Sequence, residues 1–160
     1  MPVTGASRDT DARTLTLTAS FDAPVERVWT LWSDPRLLER WWGPPTWPAT
    51  FTRHELQPGG RSTYVMTGPD GDRAHGWWRF VSADPPHRLE FEDGFADQEG
   101  EPDPSMPVMV MRVSLEDRTG GGTLMTVVVA FASDADMEQV LSMGMEEGFT
   151  AAVNQVDGLL

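Results

Sequence analysis

The chain has 160 residues and a formal net charge of −13, with no cysteine, and all twelve of its basic residues are arginine. These facts exclude disulfides, thiolate catalysis, zinc–thiolate sites, Schiff-base chemistry and the phosphate-cradling Gly-Lys-Ser/Thr loop. A length of this order is one domain able to bury a core without staples, and singly scattered arginines on an acidic chain make no track for nucleic acid.

Residues 1–12 are small and polar without periodicity and read as a flexible tail, so a single domain is expected over residues 13–160. The longest apolar run spans only residues 127–132. Neither a signal peptide nor a membrane span is expected, and the economical location is the cytoplasm. Leu15, Leu17, Ala19 and Phe21 then alternate with Thr14, Thr16, Thr18 and Ser20, the period of a half-buried strand. Pro24 suits the first turn of a helix carrying Val25, Val28, Trp29 and Trp32. Ser33-Asp34-Pro35 ends that helix and starts a second short one, with Leu37, Leu38, Trp41 and Trp42.

Gly43-Pro44-Pro45 and Pro48 mark an extended linker. Strands are then predicted over residues 49–56, 61–67, 73–83, 88–93, 108–117 and 123–132, joined by Gly- and Pro-rich turns short enough for hairpins. An antiparallel meander follows. Residues 94–107 are the exception, an acidic, Pro-containing loop of the kind that forms a lid or rim. From Asp134 to Leu160, Met137, Val140, Leu141, Gly144, Met145, Gly148, Phe149, Ala152, Val153, Val156, Leu159 and Leu160 form one helical stripe, and Ser133 with Asp136 makes a carboxylate version of the capping box. The spacing predicts one long helix with a dry face for the sheet to cover, an α+β arrangement that can enclose a cavity.

Alternation assigns the strand faces. Met125, Val127, Val129 and Phe131 point inward, as do Met109, Met111, Val113 and Leu115, Leu89 and Phe91, Trp78 and Phe80, and Tyr64 and Met66. For residues 49–56 the same reasoning selects Thr52, His54 and Leu56. A general acid or base can be assembled from His54, Tyr64 and a carboxylate such as Glu90 or Asp93 across the sheet, but Glu90 alternates onto the wet face and Glu92 and Asp93 read as a solvated strand end. Gly144 and Gly148 lie on the dry helix face, where each costs roughly 1 kcal/mol relative to alanine, so the sheet or a ligand is expected to approach closely there. Seven tryptophans and nine methionines are more large adaptable apolar groups than a close-packed core of this size needs.

The candidate ligand-binding set is therefore Trp42, Trp47, His54, Tyr64, Met66, Trp78, Phe80, Phe91, Phe95, Met109, Met111, Phe131, Met145 and Phe149, with His54 and Tyr64 orienting a polar group. His54, His75 and His87 are dispersed, no metal-ligand spacing or Gly-x-Ser-x-Gly elbow is present, and no metal, cofactor or catalytic set is assigned.

Several motifs carry a resemblance. The run Phe21-Asp22-Ala23-Pro24-Val25-Glu26-Arg27-Val28-Trp29 is followed by Asp34-Pro35 and Trp41-Trp42-Gly43-Pro44. Pro58-Gly59-Gly60-Arg61, Gly68-Pro69-Asp70-Gly71, Asp84-Pro85-Pro86 with Arg88-Leu89, and Gly144-Met145 with Gly148 come next. In this order they resemble the activator-of-heat-shock-protein-90-ATPase-like group of the START-like, birch-pollen-allergen-like (SRPBCC) superfamily. The resemblance implies a helix-grip fold, in which a curved antiparallel sheet of about seven strands wraps a long C-terminal helix and two short helices close one end. It also implies ligands such as lipids, hormones or polyketides, or cyclase-type chemistry, or a chaperone partner.

Three functions are expected in order. The first is an apolar or amphipathic small-molecule binding protein, entered between residues 42–48 and 94–107. The second is a cyclase- or hydrolase-like enzyme using the same cavity. The third is a chaperone-associated or homodimeric protein-binding module using Trp77, Val110 and Val128 on the outer face.

Overall fold

The computed structural model describes residues 2–160. Strands β1 (Val3–Asp9) and β2 (Thr14–Phe21) form a hairpin, helices α1 (Val25–Ser33) and α2 (Pro35–Leu38) follow, and six further strands make the meander. These are β3 (Ala49–His54), β4 (Arg61–Thr67), β5 (Arg73–Asp84), β6 (Arg88–Phe95), β7 (Val108–Asp117) and β8 (Thr123–Phe131). The chain closes with α3 (Asp134–Ser142), α4 (Met145–Val153) and a 3₁₀ turn at Val156–Leu159. All strands belong to one antiparallel sheet in the order β1-β2-β8-β7-β6-β5-β4-β3. The last strand of the meander thus returns beside the first hairpin, with Thr14 opposite Ala130 and Phe21 opposite Thr123. No helix among the described residues is long and apolar enough to cross a membrane.

The eighth strand corrects one expectation. Residues 3–9 are not a loose tail but β1, paired with β2 from Val3 opposite Ala19 to Asp9 opposite Thr14. Val3 N–H donates to Asn154 Oδ1 at 3.1 Å, and the Arg8 guanidinium meets the Glu146 carboxylate at 2.8 Å, so the strand is tied to α4 as well. It leaves no hydropathy signal because all but its first residue are exposed. Only backbone pairing and a few polar ties hold it, and neither produces alternation.

The C-terminal arm differs from expectation in continuity. Its apolar stripe does face the sheet, with Met137, Val140, Phe149, Ala152, Val153 and Val156 buried. The helix is nevertheless broken at Gly144, whose φ of 85° is left-handed, and α4 starts afresh from that residue. One left-handed residue interrupts the hydrogen-bond ladder without altering the spacing of apolar positions, so the stripe reads as unbroken. The start of α3 is as expected, the Ser133 hydroxyl accepting from Asp136 N–H at 3.0 Å. The arm touches β8 through α3 and β1 and β2 through α4, which leaves the β4–β7 half of the inner face for other groups to cover.

Part of that half is covered by α1 and α2. Asp34 caps α2 by accepting from Arg36 N–H, and Glu39 accepts from Phe51 N–H at 2.7 Å, fastening the helical turn to β3. Trp32, Trp41 and Trp42 are thereby driven under the sheet, with Trp32–Trp41 centroids 4.9 Å apart and Trp42–Trp78 centroids 4.7 Å apart, both edge-to-face. This tryptophan plug fills one end of the interior, and the other end stays open.

The two glycines of the arm predict opposite stability effects. Gly144→Ala forces a side chain into left-handed backbone and lowers stability by about 1–2 kcal/mol. At Gly148, inside α4, an added Cβ meets no atom within 4 Å. Gly148→Ala therefore raises stability by about 0.5–1 kcal/mol. Urea-unfolding midpoints of the two variants check both signs.

Candidate functional site

The open end is a cavity of about 480 Å³ between the helical arm and strands β4–β7. Its rim is built by the linker after α2. Gln155 Nε2 donates to the carbonyl of Gly43 at 2.7 Å and to that of Trp41 at 3.3 Å, clamping the linker to the end of the arm. Gly43 is required there because a Cβ would overlap the Trp47 carbonyl, and the Trp47 indole in turn lies flat over Gly68 in the β4–β5 turn. Trp42 faces the interior from this linker, its ring 5.8 Å from Phe149 on α4 and 6.0 Å from Tyr64 on β4.

Of the candidate residues, Trp42, Trp47, Tyr64, Met66, Phe95, Met109, Met111, Met145 and Phe149 line the cavity. Trp78, Phe80, Phe91 and Phe131 do not. The first three are fully buried behind the wall, Trp78 lying 4.3 Å from Phe91, because the plug from α1 and α2 takes the volume on their side of the sheet. Phe131 is buried on β8, opposite Met109 and one strand farther from the space. The candidate set left out Pro44, Ala74, His75, Asp93, Gly94, Val140 and Met143, which complete the lining together with Gly144 and Gly148.

His54 is also outside the cavity. A bulge between Phe51 and Arg53 resets alternation, so that Ala49 and Phe51 face the core, Thr52 is exposed and His54 turns inward again. Its Nε2 contacts the Trp32 carbonyl at 2.9 Å and its Nδ1 contacts the Ser62 hydroxyl at 2.7 Å. A carbonyl only accepts, so Nε2 carries the proton and Nδ1 of the neutral ring accepts from Ser62. Burial pushes the His54 pKa down, in keeping with this neutral form. The residue is a structural pin between β3, β4 and α1, with both ring nitrogens engaged.

The polar group of the cavity lies elsewhere. Tyr64 stacks on Phe51 with centroids 5.2 Å apart, and its ring crosses the neighbouring strand above Gly76, where any Cβ would overlap it. The phenol thus reaches β6, one strand beyond, and its O–H donates to Asp93 Oδ1 at 2.9 Å. Asp93 is 7% exposed, so it is not the solvated strand end expected from the sequence. It continues the inward parity of Leu89 and Phe91 and lies opposite Trp78. Burial pushes the Asp93 carboxyl up to about 7, against the opposing pull of Tyr64 and of the Trp78 indole. Tyr64 is held well above its ordinary range by the same burial and by the neighbouring carboxylate. The buried indole N–H groups of Trp42 and Trp78 lack an acceptor in hydrogen-bond geometry, although their electrostatic influence on the Tyr64–Asp93 pair is evident in the same balance.

Around the mouth, Gly94 and Phe95 extend β6 two residues beyond the predicted strand and lead into the acidic loop, which is folded on itself by a bridge between Ala96 and Pro102 and by the Asp97 carboxylate accepting from Glu99 and Glu101 N–H. Met143, 55% exposed, stands on the opposite side at the break in the arm. On the outer face Trp77, Val110 and Val128 are only partly exposed, and the Trp77 N–H is engaged by the Phe95 carbonyl at 3.1 Å. The exposed large hydrophobic side chains among the described residues are Val81 and Met143.

Comparison with solved structures finds the same fold throughout. A crystal structure of a protein from Mycobacterium smegmatis is 48% identical, covers 99% of this chain and 97% of its own, and superposes with a TM-score of 0.92. A solution structure of a protein from Arthrobacter aurescens is likewise 48% identical, with 97% and 90% coverage and a TM-score of 0.92. A crystal structure described as the AHSA1 protein from Silicibacter pomeroyi shares the fold at 20% identity, with 91% and 95% coverage and a TM-score of 0.72. No functionally curated protein matches the sequence. The family model described as "Activator of Hsp90 ATPase homolog 1-like protein" matches residues 22–160, nearly everything from the first helix onward. The helix-grip architecture and this match together show that the chain belongs to the family of activator of Hsp90 ATPase homolog 1-like proteins, within the START-like (SRPBCC) superfamily.

Proposed function

We propose that this protein binds an apolar or amphipathic small molecule in the space between its sheet and its helical arm. The observation that carries the reading is the cavity itself, about 480 Å³ in volume, walled by Trp42, Met66, Met109, Met111 and Phe149 and provided with one polar pair, Tyr64 and Asp93. Ligand sites in proteins fall in this size range and combine an apolar wall with few, convergent polar groups. Burial of a ligand against such a wall contributes about 25 cal/mol per Å² of apolar area. Entry lies between the Trp42–Trp47 linker and the start of the acidic loop, and the exposed Met143 side chain stands beside it. Gly148 supports the reading, since its missing side chain leaves room on the cavity wall rather than admitting a neighbouring element.

A direct test uses the neutral fluorescent probe N-phenyl-1-naphthylamine. The native protein is expected to enhance its emission saturably. Gly148→Leu, which projects four carbons into the cavity from a helix position free of clashes at Cβ, is expected to abolish the enhancement while retaining the far-ultraviolet circular dichroism of the native protein. Equal enhancement by both proteins counts against the cavity as the binding place.

One observation favours a second reading, acid–base catalysis on the bound molecule. A carboxyl with a pKa of about 7 facing a cavity can hold or release a proton at neutral pH. The same shift has a stability consequence with a definite sign. The folded state retains the Asp93 proton up to about pH 7, whereas an unfolded aspartate loses it near 3.8. Between those limits the folded state binds the extra proton, so stability falls as pH rises, by at most about 1.4 kcal/mol per pH unit. Asp93→Asn is expected to remove that component, and its thermal midpoint to gain on the native protein from pH 5 to pH 8. Carbonyl ¹³C chemical shifts of Asp93 followed over the same range test the titration directly, and a midpoint below pH 5 counts against the catalytic reading.

A further inference from the structure

The polar pair and its surroundings restrict the chemistry of the occupant, and this restriction rests on the cavity-binding reading above. Tyr64 occupies Asp93 Oδ1, and among the described residues no other donor is in hydrogen-bond geometry with that carboxylate. Oδ2 therefore has no aligned protein donor, the Trp78 indole N–H acting on the carboxylate from outside hydrogen-bond geometry, in a side chain that is more than nine-tenths buried and lines the cavity. A buried carboxylate oxygen needs a partner, and one carrying positive charge satisfies it most strongly.

The rest of the lining agrees in sign. No arginine contributes to the described cavity wall, and His75 on β5 is its one basic side chain. An acidic ligand would bring a second negative charge beside Asp93 with no cation to receive it. The amino end of α4 opens on the same space, but Glu146 and Glu147 occupy its first turn and offset the helix dipole there. Trp42, Tyr64 and Phe149 form a contiguous aromatic wall, Trp42 being within 6.0 Å of each of the other two, and aromatic faces attract cations in desolvated sites. At long range the net charge of −13 draws cations toward the protein and repels anions.

We propose that the natural occupant is a lipophilic amine, its ammonium group donating to Asp93 Oδ2 within the aromatic wall and its hydrocarbon body lying among Met66, Met109, Met111 and Met145. Fatty acids and phosphorylated amphiphiles are thereby disfavoured as ligands.

Three probes of matched shape separate the possibilities, namely 1-naphthylmethylamine, 1-naphthalenemethanol and 1-naphthoic acid, each titrated calorimetrically into the full chain at neutral pH. The amine is expected to bind about tenfold or more tighter than the alcohol, with the acid weakest. Asp93→Asn, with the far-ultraviolet circular dichroism of the native protein retained, is expected to bind the amine no more tightly than the alcohol. Tyr64→Phe, which frees Oδ1 as well, is expected to keep the amine preference. Alcohol binding as tight as amine binding, or an amine preference that survives Asp93→Asn, overturns the assignment and leaves the cavity reading standing. Tightest binding of the acid does the same. If none of the three binds, both readings fall.

Discussion

The structure depends on how an eight-stranded sheet is covered. The helical arm is long enough to lie over β1, β2 and β8, and burying its stripe of Met137, Val140, Phe149, Ala152, Val153 and Val156 supplies the apolar contact that holds it there. The arm cannot also cover the inner face of β4–β7. Three tryptophans, Trp32 on α1 and Trp41 and Trp42 in the segment after α2, close one end of that face by edge-to-face packing, and the space they do not reach is the cavity. The pocket is thus a consequence of layer geometry, in which covering elements are shorter than the surface they cover.

Within that space the hydrogen bond from Tyr64 to Asp93 is the costly element. An acid buried to this degree is raised toward neutrality because its charged form loses hydration that one phenol only partly replaces. Several features accommodate the pair. Gly76 lets the phenol cross β5, Phe51 stacks on the ring, and the inward parity of β6 places the carboxylate at its tip. Polar groups retained in a dry interior at such cost are characteristic of recognition or proton transfer, which is why the proposed function rests on the pair and not on His54. His54 has both ring nitrogens committed to Ser62 and to the Trp32 carbonyl and has nothing left to offer a ligand.

Much of this was legible in the sequence, and the remainder was illegible for identifiable reasons. The inward faces of β2, β7, β8 and of β6 as far as Asp93 follow from strict alternation, since in a half-buried strand parity alone decides burial. Parity fails in β3, where the bulge after Phe51 makes Thr52 and Arg53 both face outward. Asp93 is a different failure. Parity placed it inward with Leu89 and Phe91, and the general expectation that carboxylates are solvated overrode the pattern. Gly76, an isolated glycine inside a strand facing a tyrosine on the next, was the available sign that a ring crosses there. Trp78, Phe80 and Phe91 were correctly turned inward, but alternation gives a face and not a depth, so it could not separate core from cavity wall. β1 carried no signal because it is held by backbone pairing and by polar ties from Thr4 and Arg8, with all but its first residue exposed.

The two outermost strands, β1 and β3, share an irregularity with a consequence for assembly. Each has a register shift against its only neighbour, between Val3 and Gly5 in β1 and between Phe51 and Arg53 in β3. An exposed sheet margin is a template on which another copy can add a strand, and a kinked, locally twisted margin presents its amide and carbonyl groups out of step with a straight newcomer. Both margins of this sheet are therefore poor templates. Any self-association of the protein is directed away from continuous intermolecular sheets and toward contacts between side chains, and the fold carries its own guard against fibrillar growth at either flank.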